Sequence, residues 1–119
     1  KAKPERKGTA FWIERREGER AHVWRVRREG SGMRGGMRAL PDDGWTARED
    51  GTGEPPLDGE WEDLGAVRHT FSHAHLTLKV KRIRSDNAPP GEGKWWPLAT
   101  LEEAGLPSVF AKAVRLRLA

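Results

Sequence analysis

The residues best suited to chemistry lie in one short stretch, residues 67–76. Three of the four histidines fall inside it within seven positions, at His69, His73 and His75. Phe71 and Ser72 stand among them, so the stretch offers a ring that can stack, a hydroxyl that can exchange hydrogen bonds and imidazoles that can bind metal or protons. Because the flanking residues alternate as strands do, we predict a tight loop between two strands, where the domain meets its ligand.

Metal binding is an alternative for this stretch, since His69-x3-His73-x-His75 could supply three ligands. The pattern does not favour it, because no carboxylate stands close in sequence and a turn between His69 and His75 would break their shared face. We therefore predict no metal ligands, and assign His69 to the inner face of its strand and His75 to the surface. The chain has no cysteine, which excludes Cys-ligated zinc and iron–sulfur clusters within it.

The composition indicates one basic domain. The chain's 119 residues allow a single modest core, and six tryptophans argue against disorder although 34% of the residues are charged. The formal net charge of +4 suits an anionic partner. No apolar run approaches the ~20 residues of a membrane helix and no signal peptide opens the chain, so a cytoplasmic protein without membrane contact is expected.

Two hairpins are predicted to build the sheet that positions the loop. The first pairs residues 8–15 with 21–28, and the second joins residues 61–71 to a strand whose inward residues are Leu76, Leu78 and Val80. Between the hairpins lie a glycine-rich segment, 29–41, that ends in a short strand, and a polar loop of low order, 42–60. Residues 1–7 are basic and begin with Lys1 rather than Met, so they are predicted to end an interdomain linker of a longer protein, with the domain spanning 8–119.

The C-terminal part is predicted to contribute helices. After a short strand at 94–96, residues 98–104 form a helical turn with Thr100 as N-cap and Gly105 as terminator. The last helix begins at Pro107 or Ser108 and turns five apolar residues inward, namely Val109, Phe110, Ala113, Val114 and Leu118. The predicted fold is α+β, with a mostly antiparallel or mixed sheet packed by one or two helices, the last of them C-terminal.

Four stretches match the motifs of a known family in that family's order: Pro4-x-Arg6-x-Gly8-Thr9-Ala10, Gly35-Gly36-Met37-x-x-Leu40-Pro41, Val67-x-His69-x-Phe71-Ser72-His73, and Gly91-Glu92-Gly93-Lys94-Trp95-x-Pro97-Leu98 continued by Ala104-Gly105-Leu106-Pro107. Over nearly its whole length the chain thus resembles the C-terminal domain of A/G-specific adenine DNA glycosylases, the MutY family. The third stretch looks like the family's Phe-Ser-His loop. Arg38 stands where the family has tryptophan, so this chain has no aromatic side chain at that position.

The resemblance implies a Nudix-like fold that has lost hydrolase chemistry and binds double-stranded DNA containing 8-oxoguanine opposite adenine. In the family, an N-terminal catalytic domain acting in cis excises the adenine and carries a 4Fe-4S cluster, and neither is part of this chain. The chain is therefore expected to be a monomeric recognition domain without enzymatic activity or cofactor. Its candidate lesion- and DNA-binding residues are Phe71, Ser72, His73, Arg34 and Arg38.

The loop residues suit that task chemically. In 8-oxoguanine, N7 carries a proton where guanine presents an acceptor, and C8 carries a carbonyl oxygen. Ser72 can accept from N7–H, and a backbone N–H of the loop can donate to O8. Phe71 offers either a surface for the base or a core side chain, and His73 can reach a phosphate or a base edge. Arg34 and Arg38 lie beside glycines, which let backbone and side chain approach a phosphate together.

Two further functions stay open as alternatives. A Nudix hydrolase needs Gly-x5-Glu-x7-Arg-Glu-U-x-Glu-Glu-x-Gly-U, where U is a bulky aliphatic residue, and residues 102–106 match only its last five positions. The Arg-Glu pair would fall at Leu98 and Ala99, so the carboxylate cluster that holds Mg²⁺ is missing and hydrolysis is disfavoured. A protein-interaction module would instead use exposed tryptophans, with candidates at Trp45, Trp61, Trp95 and Trp96.

Overall fold

The computed structural model describes residues 2–28 and 37–118. These residues form six strands, a 3-10 helix over Leu98–Ala104 and one α-helix: β1 Glu5–Glu17, β2 Arg20–Arg28, β3 Met37–Ala39, β4 Glu62–Thr70, β5 His75–Arg84, β6 Lys94–Pro97 and α1 Ser108–Leu118. Within this part of the chain, no helix combines the length and hydropathy needed to cross a membrane. The predicted α+β class is confirmed.

One mixed sheet holds all six strands in the order β3-β2-β1-β5-β4, with β6 paired to β2. Its centre is a parallel pairing of β1 with β5, in register from Glu5 opposite His75 to Glu14 opposite Arg84. The other pairings are antiparallel, including the two hairpins predicted from the sequence. The parallel pair brings the chain's N-terminal residues beside the start of β5, where the histidine-rich stretch ends.

Helix α1 covers one face of this sheet. The predicted inward residues of β5 (Leu76, Leu78 and Val80) are buried, and so are four of the five predicted on α1, namely Val109, Phe110, Ala113 and Val114. The fifth prediction is wrong, because Leu118 is 50% exposed at the end of the helix, while Leu116 is partly buried against the core. Burial of this apolar face against the sheet is what stabilises so short a helix.

Residues 42–61 are attached to β1, which differs from the expected loop of low order. The buried Asp43 carboxylate accepts hydrogen bonds from the Thr9 N–H at 3.0 Å and the Gly53 N–H at 2.9 Å. A Cβ on Gly51 would lie 2.0 Å from Asp43, so this close approach requires glycine. Trp61 then packs edge-on against Phe11, with 5.1 Å between the ring centroids. Trp61 therefore shields the sheet face opposite α1, whereas Trp45 of the same segment packs against Phe110 of α1.

Two local boundaries also differ from the sequence predictions. Glu5–Lys7, assigned to the linker, belong to β1 and pair with His75–Thr77. Thr100 is not the N-cap of the 3-10 helix, which follows Pro97; its φ of −119° marks a kink inside the helix. Gly105 ends that helix in the left-handed conformation, as predicted.

A buried carboxylate joins the sheet to the C-terminal helix. Glu14 in β1 is fully buried and accepts hydrogen bonds from Trp12 Nε1 at 3.0 Å, Arg16 at 2.9 Å, Arg117 at 2.8 Å and Arg82 at 3.4 Å. Burial alone would raise the pKa of Glu14, but the hydrogen bonds from Trp12, Arg82 and Arg117 lower it to about 2. The charged carboxylate therefore stabilises the fold.

Replacing Glu14→Gln is expected to lower the free energy of unfolding at pH 7 by about 3 kcal/mol, because the pKa falls from 4.5 to about 2 on folding. This contribution is complete above pH 4.5 and is lost as the pH falls from 4.5 through about 2. Urea denaturation at pH 7 and pH 3 checks both parts. Glu17→Gln on the same strand removes only an exposed ion pair with Arg15 and should cost below about 1 kcal/mol. Equal losses in the two variants would contradict the role given to Glu14.

Candidate functional site: the Phe71–Ala74 loop

A four-residue loop, Phe71 to Ala74, joins β4 to β5 as predicted. The Phe71 N–H donates to the Ala74 carbonyl at 2.8 Å, and below it Thr70 Oγ1 lies 2.9 Å from His75 Nδ1. Ser72 and His73 are exposed at the tip. Among the described residues, neither the side chains nor the backbone N–H groups of these two residues have a hydrogen-bond partner. The tip therefore presents one hydroxyl, one imidazole and two N–H donors to the outside.

Phe71 braces the loop from inside. It is half-buried, with its ring centroid 5.8 Å from that of Trp45 and 4.7 Å from that of His69. Lys3 Nζ donates to the Phe71 carbonyl at 3.0 Å, and the His75 N–H donates to the Pro4 carbonyl at 2.9 Å. Of the two roles left open for Phe71, packing inside the domain is the one these contacts favour. Its exposed remainder is still available to a ligand.

His69 lies on the inner face of β4, where the sequence analysis assigned it. Its Nδ1 atom is 3.1 Å from Lys112 Nζ, which also donates to the Arg68 carbonyl at 2.9 Å. Burial lowers the pKa of His69 below 6.5, and the charge of Lys112 lowers it further. The neutral imidazole therefore accepts the hydrogen bond from Lys112 and joins the loop's base to α1.

The histidines do not converge on a metal. His69 pairs with the buried Leu76, whereas His75 pairs with Thr70, so the two imidazoles lie on opposite faces of the hairpin. Across residues 2–28 and 37–118, no three His, Asp or Glu side chains are grouped to hold a metal ion. Glu102 and Glu103, the remnant of the hydrolase motif, are exposed on the kinked 3-10 helix. These residues do not fit the Mg²⁺ that Nudix hydrolysis requires.

Of the two predicted arginines, only Arg38 can be placed, and it is not brought to the loop. Arg34 lies outside the described residues. Arg38 belongs to β3, at the opposite edge of the sheet from β4, and its Nη1 donates to the Ala104 carbonyl at 2.9 Å. The loop and Arg38 therefore cannot contact the same nucleotide, and any common ligand must be long.

A cluster behind the loop was missed by sequence reasoning. The Arg28 guanidinium lies 3.9 Å above the Trp45 ring, donates to the Trp45 carbonyl and donates to Asp42 at 2.8 Å. Burial raises the pKa of Asp42, while the charge of Arg28 and hydrogen bonds oppose that rise. The cluster fixes Trp45, against which Phe71 packs. Trp45 was visible in the sequence as the one large apolar residue of its segment, but its partners were not.

The sheet, the C-terminal helix and the sequence pattern together define a Nudix domain. A family model for the NUDIX domain matches residues 9–116, so the chain belongs to this family. No curated protein sequence matches the chain.

Solved structures support the same fold. The C-terminal domain of mouse MUTYH, solved in complex with human PCNA, superposes with a TM-score of 0.70 at 20% identity, covering 93% of this chain and 86% of that one. The MutT protein from Methanosarcina mazei gives 0.68 at 18% identity, covering 98% and 96%. The NUDIX domain of Shewanella oneidensis NrtR, solved with ADP ribose, gives 0.66 at 16% identity, covering 99% and 91%. At such identities the likeness establishes the fold alone.

Because the pKa of His69 is lowered on folding, its neutral form contributes stability that is present above pH 6.5 and lost as the pH falls below it. We expect the free energy of unfolding to decline in that range, and His69→Gln to remove this part of the decline. Urea denaturation between pH 8 and pH 5 measures it, with His73→Gln at the exposed tip as the matched control. A decline that persists in His69→Gln and disappears in His73→Gln would reverse the assignment.

Proposed function

We propose that this chain is a lesion-recognition domain of the MutY type, which binds duplex DNA containing 8-oxoguanine opposite adenine. The observation that carries the proposal is the loop tip, where Ser72 and His73 expose a hydroxyl and two N–H groups without partners among the described residues. Unsatisfied groups of this kind on a rigid hairpin are suited to hydrogen-bond a base edge. The resemblance of this loop to the family's Phe-Ser-His motif supports the same function.

The expected contact uses the two atoms that distinguish the lesion. The Ser72 hydroxyl accepts from N7–H of 8-oxoguanine, and the N–H of Ser72 or His73 donates to O8. Guanine offers an acceptor at N7 and no oxygen at C8, so it loses the second hydrogen bond. Because the hydroxyl can rotate and donate to guanine instead, the backbone donor carries much of the discrimination.

Catalysis is assigned to another part of the parent protein. A glycosylase must flip and excise the adenine on the opposite strand. In the family this is done by an N-terminal domain with a 4Fe-4S cluster, and this chain has no cysteine to ligate one. We therefore propose that the chain itself is not an enzyme and that it directs excision by a domain in cis.

Hydrolysis of an oxidised nucleotide is the alternative, and the structural neighbours fit it equally well. The chain's own residues favour it less, because residues 42–61 contain no helix and the acids there serve other roles. Asp43 accepts from backbone N–H groups, and Asp42 pairs with Arg28. Release of phosphate or pyrophosphate from 8-oxo-dGTP in the presence of Mg²⁺ would decide for the hydrolase.

Binding to duplexes that carry 8-oxoguanine:adenine or guanine:adenine tests the proposal. By fluorescence anisotropy at two salt concentrations, we expect weak, salt-sensitive binding with a preference of roughly five- to ten-fold for the lesion, within the ~1–3 kcal/mol of a bidentate base contact. Ser72→Ala should reduce this preference without changing the salt dependence, because it removes a base contact and no charge.

Ser85→Ala is the matched control. Ser85 also carries a hydroxyl, which donates to the Asn87 carbonyl, but its N–H donates to the Glu14 main-chain carbonyl at the end of the sheet far from the loop. The control should bind like the unmodified chain. Equal affinity for the two duplexes, unaffected by Ser72→Ala, would refute the lesion-reading role of the loop.

A further inference from the structure

The edge of the sheet formed by β2, β3 and β6 carries two like-charge pairs directly across neighbouring strands. Arg27 in β2 lies opposite Arg38 in β3, and Arg25 in β2 lies opposite Lys94 in β6. Arg25 and Arg27 are two residues apart, so all four cations share one face of the sheet. Cations directly opposite one another destabilise a sheet unless an anion lies between them.

The same residues border an open groove. Arg25, Arg27 and Lys94 line a cavity of about 620 Å³ together with the segment Gly91–Glu92–Gly93. Gly91 and Gly93 are both exposed, and a Cβ on Gly93 would lie 2.4 Å from Trp24, so glycine is required there for Trp24 to pack against the main chain. Among the lining residues that the structure describes, Glu92 is the single acidic one, and it is exposed. The described lining of the groove therefore carries more positive than negative side chains.

Neutral groups hold Arg25, Lys94 and Arg38 in place. The Arg25 guanidinium lies 4.8 Å and Lys94 Nζ 5.6 Å from the Trp96 ring centroid, and the Trp96 indole is fixed by donating to the Thr100 carbonyl at 3.0 Å. Arg38 is held by the Ala104 carbonyl. An indole face and a carbonyl position a cation without neutralising it.

The burial of Arg25 and the charges around it also favour binding of an anion. Its Nε is buried and has no hydrogen-bond partner in the described part of the chain. Burial lowers the pKa of Arg25, and the charges of Arg38 and Arg27 lower it further. A guanidinium that is held, partly desolvated and surrounded by like charge is prepared to bind an oxyanion.

We propose that Arg25, Arg27, Arg38 and Lys94 form a phosphate-binding site, and that it takes backbone phosphates of the same duplex whose lesion meets the Phe71–Ala74 loop. The choice of DNA as the source of the phosphate rests on the proposed function. A phosphate in the groove places negative charge between Arg25 and Lys94 and offers oxygens to a guanidinium fork. In this arrangement Arg38 contacts the DNA backbone and not the lesion base.

The separation from the loop fits a duplex. His75, at the end of the loop, pairs with Glu5, whereas Val23, two residues before Arg25, pairs with Glu14. At about 3.3 Å per residue along β1, with two strand spacings across the sheet, the groove lies roughly 20–30 Å from the loop tip. With one base pair per 3.4 Å, that is about six to nine base pairs from the lesion.

Duplex length and salt separate this site from the loop. On a lesion duplex of about 21 base pairs, Arg25→Gln with Lys94→Gln should weaken binding about ten-fold near 0.1 M salt and reduce the slope of log K against log salt by roughly one to two. Shortening the duplex to about 9 base pairs, with the lesion central, should weaken the unmodified chain but not the double variant. Arg20→Gln, which removes one exposed charge at the tip of the β1–β2 turn, is the control for loss of charge outside the groove.

The lesion preference and a small anion distinguish failure of this site from failure of the proposed function. The double variant should keep the lesion preference, and Glu92→Gln should tighten binding to any duplex.

Pyrophosphate, compared with chloride at equal ionic strength, should shift the amide resonances of Arg25 and Lys94 and raise the melting temperature of the unmodified chain only. If pyrophosphate has these effects but no duplex binds, the site stands and the DNA function fails. If lesion duplexes bind with the same slope and length dependence in the double variant, the site is refuted while the function stands.

Discussion

The ion cluster around Glu14 is the interaction on which the rest of the structure depends. One buried carboxylate receives hydrogen bonds from its own strand through Trp12 and Arg16, from β5 through Arg82 and from α1 through Arg117. Removing the negative charge would leave three guanidiniums close together with their common partner neutralised, which is far more costly than losing an exposed ion pair. The cluster thus joins the two central strands and the covering helix at one end of the sheet.

The Glu14 cluster also affects the position of the Phe71–Ala74 loop at the other end of the sheet. With β1 and β5 held in one register from Glu14 to Glu5, the main chain at Pro4 meets His75 and Lys3 reaches the Phe71 carbonyl. A shift of one residue would exchange the faces of every side chain in β5 and remove Leu76 from the core. The position of the exposed loop tip is therefore set by packing and pairing some thirty ångströms of strand away, at about 3.3 Å per residue.

Local patterns predicted much of this fold. Alternation identified β5 with its inward Leu76, Leu78 and Val80, helical spacing identified α1, and the motif around Ser72 identified the loop. Contacts between distant segments could not be read in the same way. The polar composition of residues 42–60 does not indicate that Asp43 is buried against Thr9. That burial depends on a hydrogen bond between residues that are 34 positions apart in the sequence. The linker boundary failed for the same reason, since Glu5–Lys7 become strand only through pairing with β5.

The proposed contact divides affinity and discrimination between two parts of the surface. The loop tip offers the Ser72 hydroxyl and backbone N–H groups, which can distinguish one base edge from another but contribute little long-range attraction. The β2, β3 and β6 edge carries the cations, and their attraction to phosphates is independent of sequence and weakened by salt. If the cations lay beside the groups that contact the base, attraction to phosphates would dominate the binding energy there. Such a domain would bind undamaged DNA as strongly as DNA with the lesion. In the proposed arrangement, separation across the sheet would let the cationic edge hold any duplex, while the Ser72 loop would determine the difference between guanine and its oxidised form.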